Sequence, residues 1–302
     1  MSSHTPAHSL GPHVVGQRVV VRRVVPGETG PSGGPALTDV LGVCESWDDT
    51  TVLIRRERGD LVAIATTDIV SGKPVPPRSS PRQRVTAQEA QRRALALWPD
   101  LETEELGGWL LRRSRTSTAR RANSVLAMGP SGLADDYDRV VAHYAALGQR
   151  PIAAVLPDSD EDALFRSRGW VLESHDHDTI FQIAGIAAVR RRLGRDAPPA
   201  ELHVEGRLVT ARIDDAASGV AAVEGDWAGF RTIEVAPERR REGLGVAVMA
   251  ALVEWAAEQG ATTAYLQVLG DNAPARALYG RLGFVEHHHY RYLAAPGQSI
   301  SA

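Results

Sequence analysis

The sequence has one cysteine, no long apolar run and almost no net charge, and each lack narrows what it can be. Cys44 alone forms no internal disulfide and no multi-cysteine metal site; it suits a reducing compartment and reads as a small core residue. Nowhere do about 18 apolar residues run together, and the opening MSSHTPAHSLGPH lacks the positive start and apolar centre of a leader. The expectation is a cytoplasmic protein with no membrane attachment. A formal net charge of -3 gives no general pull toward nucleic acid or anionic lipid, so partners must be argued locally. What is present is 302 residues, 43% hydrophobic, enough for a well-buried core and for two or three domains.

Residues 14–75 read as a small all-β barrel. VVGQRVVVRRVV, ALTDVLGVCESWDD, TTVLIRRERG and DLVAIATTDIV are short β-branched runs split by turn signals, with PGETGPSGGP (26–35) as a flexible loop between two strands. The order resembles a Src-homology-3-like barrel. Residues 1–13 are expected to be disordered, and the Pro- and Arg-rich stretch 76–84 to be a linker. From Val85 the pattern alternates between helix and strand: VTAQEAQRRALALW behind a Thr cap, strands GGWLLRRSR and RANSVLAMG, helix LADDYDRVVAHYAALG, strand PIAAVLP, helix DEDALFRSRGW and strand TIFQI. This segment, 85–190, is followed by a linker (191–200), a second half (201–295) and a flexible tail (296–302). DALFRSRGWVLESHDHDTIF parallels ARALYGRLGFVEHHHYRYL, which marks the halves as distant repeats; the first copy lacks the glycine-rich junction of the second.

That junction lies in IEVAPERRREGLGVAVMAALVEWAAEQG, residues 233–260. A strand stops at Pro237, passes Arg240-x-x-Gly243-x-Gly245, and becomes a helix with Leu244, Val248, Ala251, Leu252 and Trp255 on one face and Gly260 at its end. First-turn N–H groups are unpaired and the helix dipole is positive there, so an anion docks favourably; glycines admit a pyrophosphate and arginines add charge-assisted bonds. A basic helix start with a chance glycine pair would look the same over so short a stretch.

Pattern and spacing resemble the GNAT superfamily of acetyl-CoA-dependent N-acetyltransferases over residues 205–292: a strand ending Val235-x-Pro237, the Arg240 turn, a helix, the strand AYLQV, then Asn272, Tyr279 and Gly283-Phe284. The resemblance implies an α+β GNAT fold, a mixed central sheet with helices built of a degenerate and a complete half behind the barrel. It implies that Ile233, Glu234 and Val235 pair with the pantetheine arm, with the Val235 N–H on the thioester carbonyl. Arg240, Arg241, Gly243, Leu244, Gly245 and Val246 would cradle the pyrophosphate. Asn272 would contact the cofactor or simply cap the next helix. Tyr279 would protonate the leaving thiolate as general acid, its alternative being an interfacial helix tyrosine.

The sequence departs from the family where many relatives carry a base. Eleven and nine positions ahead of Arg240 stand Gly229 and Arg231, and five before Asn272 stands Gln267. Glu234, Glu224 and Asp226 are nearby carboxylates at no matching position, so amine deprotonation through water is expected. HDHD (175–178) and HHH (287–289) suggest ligands, His287 and His289 sharing a strand face, but no third ligand is placed and no metal is expected; a histidine contacting substrate is the alternative. RRSRTSTARRANS (112–124) could meet an anionic acceptor or nucleic acid, or be a solvated strand and loop. The arrangement of barrel, degenerate half and complete half resembles actinobacterial proteins of which some are named N-acetylglutamate synthases. The expectation is therefore transfer from acetyl-CoA, as co-substrate, to a primary amine by direct attack, the acceptor an amino acid such as L-glutamate. The alternatives are a protein lysine or N-terminus and a non-catalytic acyl-CoA sensor.

Overall fold

The computed structural model describes residues 10–30, 33–56, 59–75, 81–174, 178–193 and 199–296, and the chain divides into two compact units at residues 79 and 80. The first unit is a bent five-stranded sheet: β1 (Arg18–Thr29), β2 (Pro35–Trp47), β3 (Thr51–Arg56), β4 (Leu61–Ala65) and β5 (Ile69–Pro74), ordered β4-β3-β2-β1-β5 with antiparallel pairs. Alternation places Val19, Val21, Cys44, Val52, Ile54 and Ile64 in one core. Two sequence expectations shift here. Leu10 and Val14 are buried in that core, so the barrel begins ahead of residue 14. Within the segment 26–35, Pro26–Thr29 belong to β1, which ends opposite Pro35 across a bulge, so the loop between the two strands is shorter than the expected one.

The second unit opens with α1 (Ala87–Arg93), whose Thr86 cap accepts the Glu89 N–H at 3.2 Å. The hairpin β6 (Leu101–Leu106) and β7 (Trp109–Ser114) follows, then β8 (Val125–Ala127), α2 (Asp136–Ala146), β9 (Ile152–Val155), α3 (Asp160–Ser167), β10 (Val171–Leu172), β11 (Thr179–Gly185) and α4 (Ile186–Leu193). The second half contains β12 (Glu201–Glu205), β13 (Leu208–Ile213), β14 (Ala217–Glu224), β15 (Trp227–Val235), α5 (Leu244–Glu258), β16 (Thr263–Leu269), α6 (Ala273–Leu282) and β17 (Val285–Ala294). Residues 76–80, 175–177, 194–198 and 297–302, on which parts of both expected linkers, the HDHD stretch and the tail fall, lie outside the described residues.

These strands form one sheet ordered β12-β13-β14-β15-β16-β11-β17-β9-β8-β7-β6, with β10 paired to β17. The halves exchange strands. β11 is the last strand of the first half in sequence yet lies between β16 and β17. β17 serves both halves: Val285–Tyr290 pairs with β11, and Arg291–Ala294 pairs with β9. A division at residue 190 therefore cuts the sequence but not the sheet. Helices α2 to α6 cover one face, with Phe230, Leu244, Val248, Leu252, Leu266 and Tyr279 in the core shared by α4, α5 and α6. The opposite face carries Trp227, Tyr265 and Phe181 under Ala90, Ala94 and Leu97 of the α1 segment. Among the described residues no helix is long and apolar enough to cross a membrane.

Candidate active site

β15 is where the sheet opens. It pairs in parallel with β16 only from Trp227 opposite Thr263 to Phe230 opposite Leu266; beyond them, Arg231–Val235 has β14 alone as a neighbour. A bulge explains the divergence. Thr232 and Ile233 together oppose Gly219 of β14, and Thr232 takes φ 53°, a left-handed conformation costly for a β-branched residue. Gly219 makes the bulge possible, because a Cβ there would meet the Ile233 and Val248 side chains. The Ala236 N–H bonds to Ala216 O at 2.8 Å, on the β14 side. Strand alternation then turns the Val235 N–H and C=O toward the opening, and the Arg240 Nε does lie 3.4 Å from Val235 O. The opening thus offers an unpaired strand edge, to which an extended amide-bearing chain can add.

α5 begins at the mouth of this opening. Gly243 is its N-cap with φ 82°, and Arg241 before it also has positive φ, 67°. Having no side chain, Gly243 leaves the first-turn N–H groups uncapped, while the Val246 and Ala247 N–H groups turn back to Gly243 O at 3.0 Å. Arg240 and Arg241 are exposed beside it. A Cβ at Gly245 would touch only Val235 Cγ2, at 3.5 Å. Leu244 is buried under the helix, Val246 is half-buried, and Glu234 is exposed on β15.

Asn272 caps α6 and Tyr279 lies on it. The Asn272 Oδ1 accepts the Ala275 N–H at 3.2 Å, so its oxygen serves as the N-cap. Tyr279 is 8% exposed in the core shared by α4, α5 and α6, edge-on to Phe284 at 5.8 Å. Burial raises its pKa and keeps the phenol protonated at neutral pH.

The positions lacking a base are occupied in specific ways. A Cβ at Gly229 would collide with the ring and hydroxyl of Tyr265, whose hydroxyl donates to Arg93 O at 3.1 Å. Arg231 stacks on Trp98, its guanidinium carbon 4.6 Å from the ring centroid. The Gln267 Oε1 accepts from Arg121 Nε at 3.1 Å and from the Tyr290 hydroxyl, which also accepts from Arg121 Nε at 3.1 Å. Sequence reasoning singled out Gln267 only as a departure and missed its union with Arg121, for which nothing local signals. It also left the segment 112–124 open between a functional and a solvated role. In the structure Arg112 is buried on the Ser124 carbonyl (3.0 Å) and hydroxyl (2.7 Å), while Arg115 pairs with Glu102 at the surface.

His287, His288 and His289 spend their ring nitrogens on different partners. The His287 and His288 Nδ1 atoms share a hydrogen bond at 2.7 Å, His288 Nε2 meets the Gln91 amide at 3.1 Å, and His289 pairs with Glu286 at 3.2 Å. Burial, reinforced by the flanking His287 and His289, pushes His288 down to about 3, so it is neutral at physiological pH. Among the described residues no three His, Cys, Asp or Glu side chains are grouped to hold a metal ion.

Known proteins resemble this chain. Residues 185–293 match the family model described as Probable histone acetyltransferase Rv0428c C-terminal, and residues 13–73 match the Rv0428c N-terminal Sm-like domain. The chain is 29% identical over 317 residues to the Probable histone acetyltransferase Rv0428c of Mycobacterium tuberculosis, covering 95% of this chain and 96% of the relative. It is 27% identical over 244 residues to the Uncharacterized N-acetyltransferase YobR of Bacillus subtilis, covering 68% and 97%. The GCN5-related N-acetyltransferase from Kribbella flavida has the same fold, with TM-score 0.55 at 15% identity over 71% of this chain and 97% of that one. The small barrel, read from sequence as Src-homology-3-like, is thus of the Sm-like kind, and the chain as a whole belongs to the GNAT-fold N-acetyltransferases that carry such a barrel at their N-terminal side.

Proposed function

We propose that this acetyltransferase moves the acetyl group of acetyl-CoA to a primary amine by direct attack in the β15–β16 opening. The single observation that supports it most is the loss of parallel pairing after Phe230 and Leu266, directly ahead of an uncapped, glycine-started helix. Acetyl-CoA supplies an activated acyl thioester. Ile233, Glu234 and Val235 pair with its amide-bearing arm, and the first turn of α5, with Arg240 and Arg241, holds its phosphates. The Val235 N–H donates to the carbonyl oxygen as negative charge develops there. The amine nitrogen bonds to the carbonyl carbon, the carbon–sulfur bond breaks, the nitrogen gives its proton to water, and the Tyr279 hydroxyl gives its proton to sulfur. No carboxylate stands at a matching base position, so the acceptor amine must arrive neutral.

The acceptor divides the readings. An amino acid such as L-glutamate is the first, and a protein lysine or N-terminus, as the name of the Mycobacterium tuberculosis relative suggests, is the second. Release of coenzyme A measured across amino acids, simple amines and basic proteins distinguishes them, and Tyr279→Phe tests the chemistry. Acetyl-CoA should bind the variant nearly as before while turnover falls about 100-fold or more, the loss typical of a missing general acid. Because burial raises the Tyr279 pKa, the acid stays protonated and the alkaline fall in rate comes above the ordinary tyrosine range. The rising limb follows the amine pKa and shifts between acceptors. Wild-type turnover in Tyr279→Phe removes the tyrosine from the mechanism, and acetyl-CoA binding without turnover of any amine favours a sensor.

A further inference from the structure

Arg231 and Gln267 are the first residues past the last paired positions of β15 and β16, and Gln267 carries Arg121. Two residues beyond Gly229 and Tyr265, they lie on the sheet face opposite α5 and Tyr279. A nucleophile adds to the thioester carbon from above or below the carbonyl plane, and the sheet face that holds Tyr279 is filled by the packed core it shares with α5. The acceptor therefore enters over the other face, between Arg231 and Arg121.

Neither guanidinium has an ion-pair partner among the described residues, although arginines elsewhere in this unit do: Arg92 with Glu105 at 2.6 Å, Arg120 with Glu173 at 2.7 Å, Arg291 with Asp178 at 2.8 Å. Arg231 is half-buried on Trp98, and its Nε has no hydrogen-bond partner among the described residues. The carboxylate whose charge it feels, Asp100, has its Oδ2 occupied by the Ser114 and Thr116 hydroxyls at 2.6 and 2.7 Å and the Thr116 N–H at 3.1 Å. Arg121 spends its Nε on neutral oxygens of Gln267 and Tyr290. Partly buried cations are ordinarily paired, and two left unpaired at one opening leave positive charge for a ligand to neutralise. A guanidinium fork matches planar or tetrahedral oxyanions with two parallel bonds.

We infer that Arg121 and Arg231 form an oxyanion clamp on the acceptor side of the opening, so that the acceptor is a small molecule bearing both a primary amine and a carboxylate or phosphate. The assignment of the acceptor side rests on the acetyltransferase reading above. The same two charges disfavour a protonated amine beside them and repel a lysine tail with cationic neighbours.

The clamp is tested by binding, apart from chemistry. Calorimetry on the full chain saturated with coenzyme A would compare the twenty L-α-amino acids and O-phosphoethanolamine with L-alaninamide, ethanolamine and a lysine-bearing basic peptide. At least one oxyanion-bearing amine should bind at least about tenfold more tightly than its neutral counterpart, as expected when a charge-assisted bond is lost; which acid binds separates carboxylate from phosphate. In Arg231→Met and Arg121→Met that preference should disappear while acetyl-CoA affinity is retained. Arg121→Lys, which keeps the charge, covers the case in which Arg121→Met fails to fold, and should retain part of the preference. Tyr279→Phe should keep all of it. Oxyanion binding that depends on these arginines, even with no turnover, upholds the clamp while the catalytic reading falls. Equal or better binding of neutral amines or the peptide, no binding of any oxyanion-bearing amine, or a preference that survives loss of either arginine overturns it.

Discussion

Gly245→Leu should move stability and cofactor affinity in opposite directions. Gly245 is the second residue of α5, and a Cβ there meets only Val235 Cγ2 at 3.5 Å, an ordinary contact. Replacing a helical glycine by leucine is favourable by up to about 0.8 kcal/mol, so the unit should keep its melting temperature or gain roughly 2–3 °C. The larger side chain nonetheless covers the first-turn N–H groups that would bind the pyrophosphate. Losing one charge-assisted hydrogen bond costs about 1.5–3 kcal/mol, so acetyl-CoA should bind at least about tenfold more weakly, as each 1.4 kcal/mol is roughly tenfold. Thermal unfolding and titration calorimetry on the same sample measure both quantities. An unchanged dissociation constant with a retained melting point would refute the cradle. A collapse of the melting point would refute the claim that this side of the helix start is open.

Two further outcomes follow from the packing. Gly229→Glu, which writes the family's base into β15, should destabilise the unit by roughly 1–3 kcal/mol through overpacking against Tyr265 and raise no activity. A stable, faster enzyme would show that Tyr265 yields easily. A chain beginning at residue 80 should fold and bind acetyl-CoA with the affinity of the whole protein, because the barrel is a separate unit and every cradle residue lies in the second one. It must include Arg82, whose guanidinium holds the Thr263 hydroxyl at 2.8 Å and Thr262 O at 3.1 Å at the start of β16. A folded truncation that no longer binds would count against this.

What the sequence by itself determined is local. The barrel strands show as β-branched runs with period two, the Thr86 cap shows as a threonine before a helical period, and Gly243 and Gly260 mark the ends of α5 where positive φ is needed. Each signal concerns residues within a few positions of one another, the range over which periodicity, capping and glycine preference act. Only the tertiary structure decided which strands meet. TIFQI is legible as a strand, but its place between β16 and β17, and the service of β17 to both halves, depend on edges complementary across about a hundred residues. The site divides along the same line. The glycine turn of the proposed cradle is contiguous and visible. The bulge at Thr232 depends on Gly219 of β14, the space at Gly229 is taken by a tyrosine of β16, and Arg121 finds Gln267 from a loop 146 residues away. Chain separation weakens every local statistical signal, whereas packing is governed by distance in space, so the proposed acceptor side of the site became readable only once the sheet was assembled.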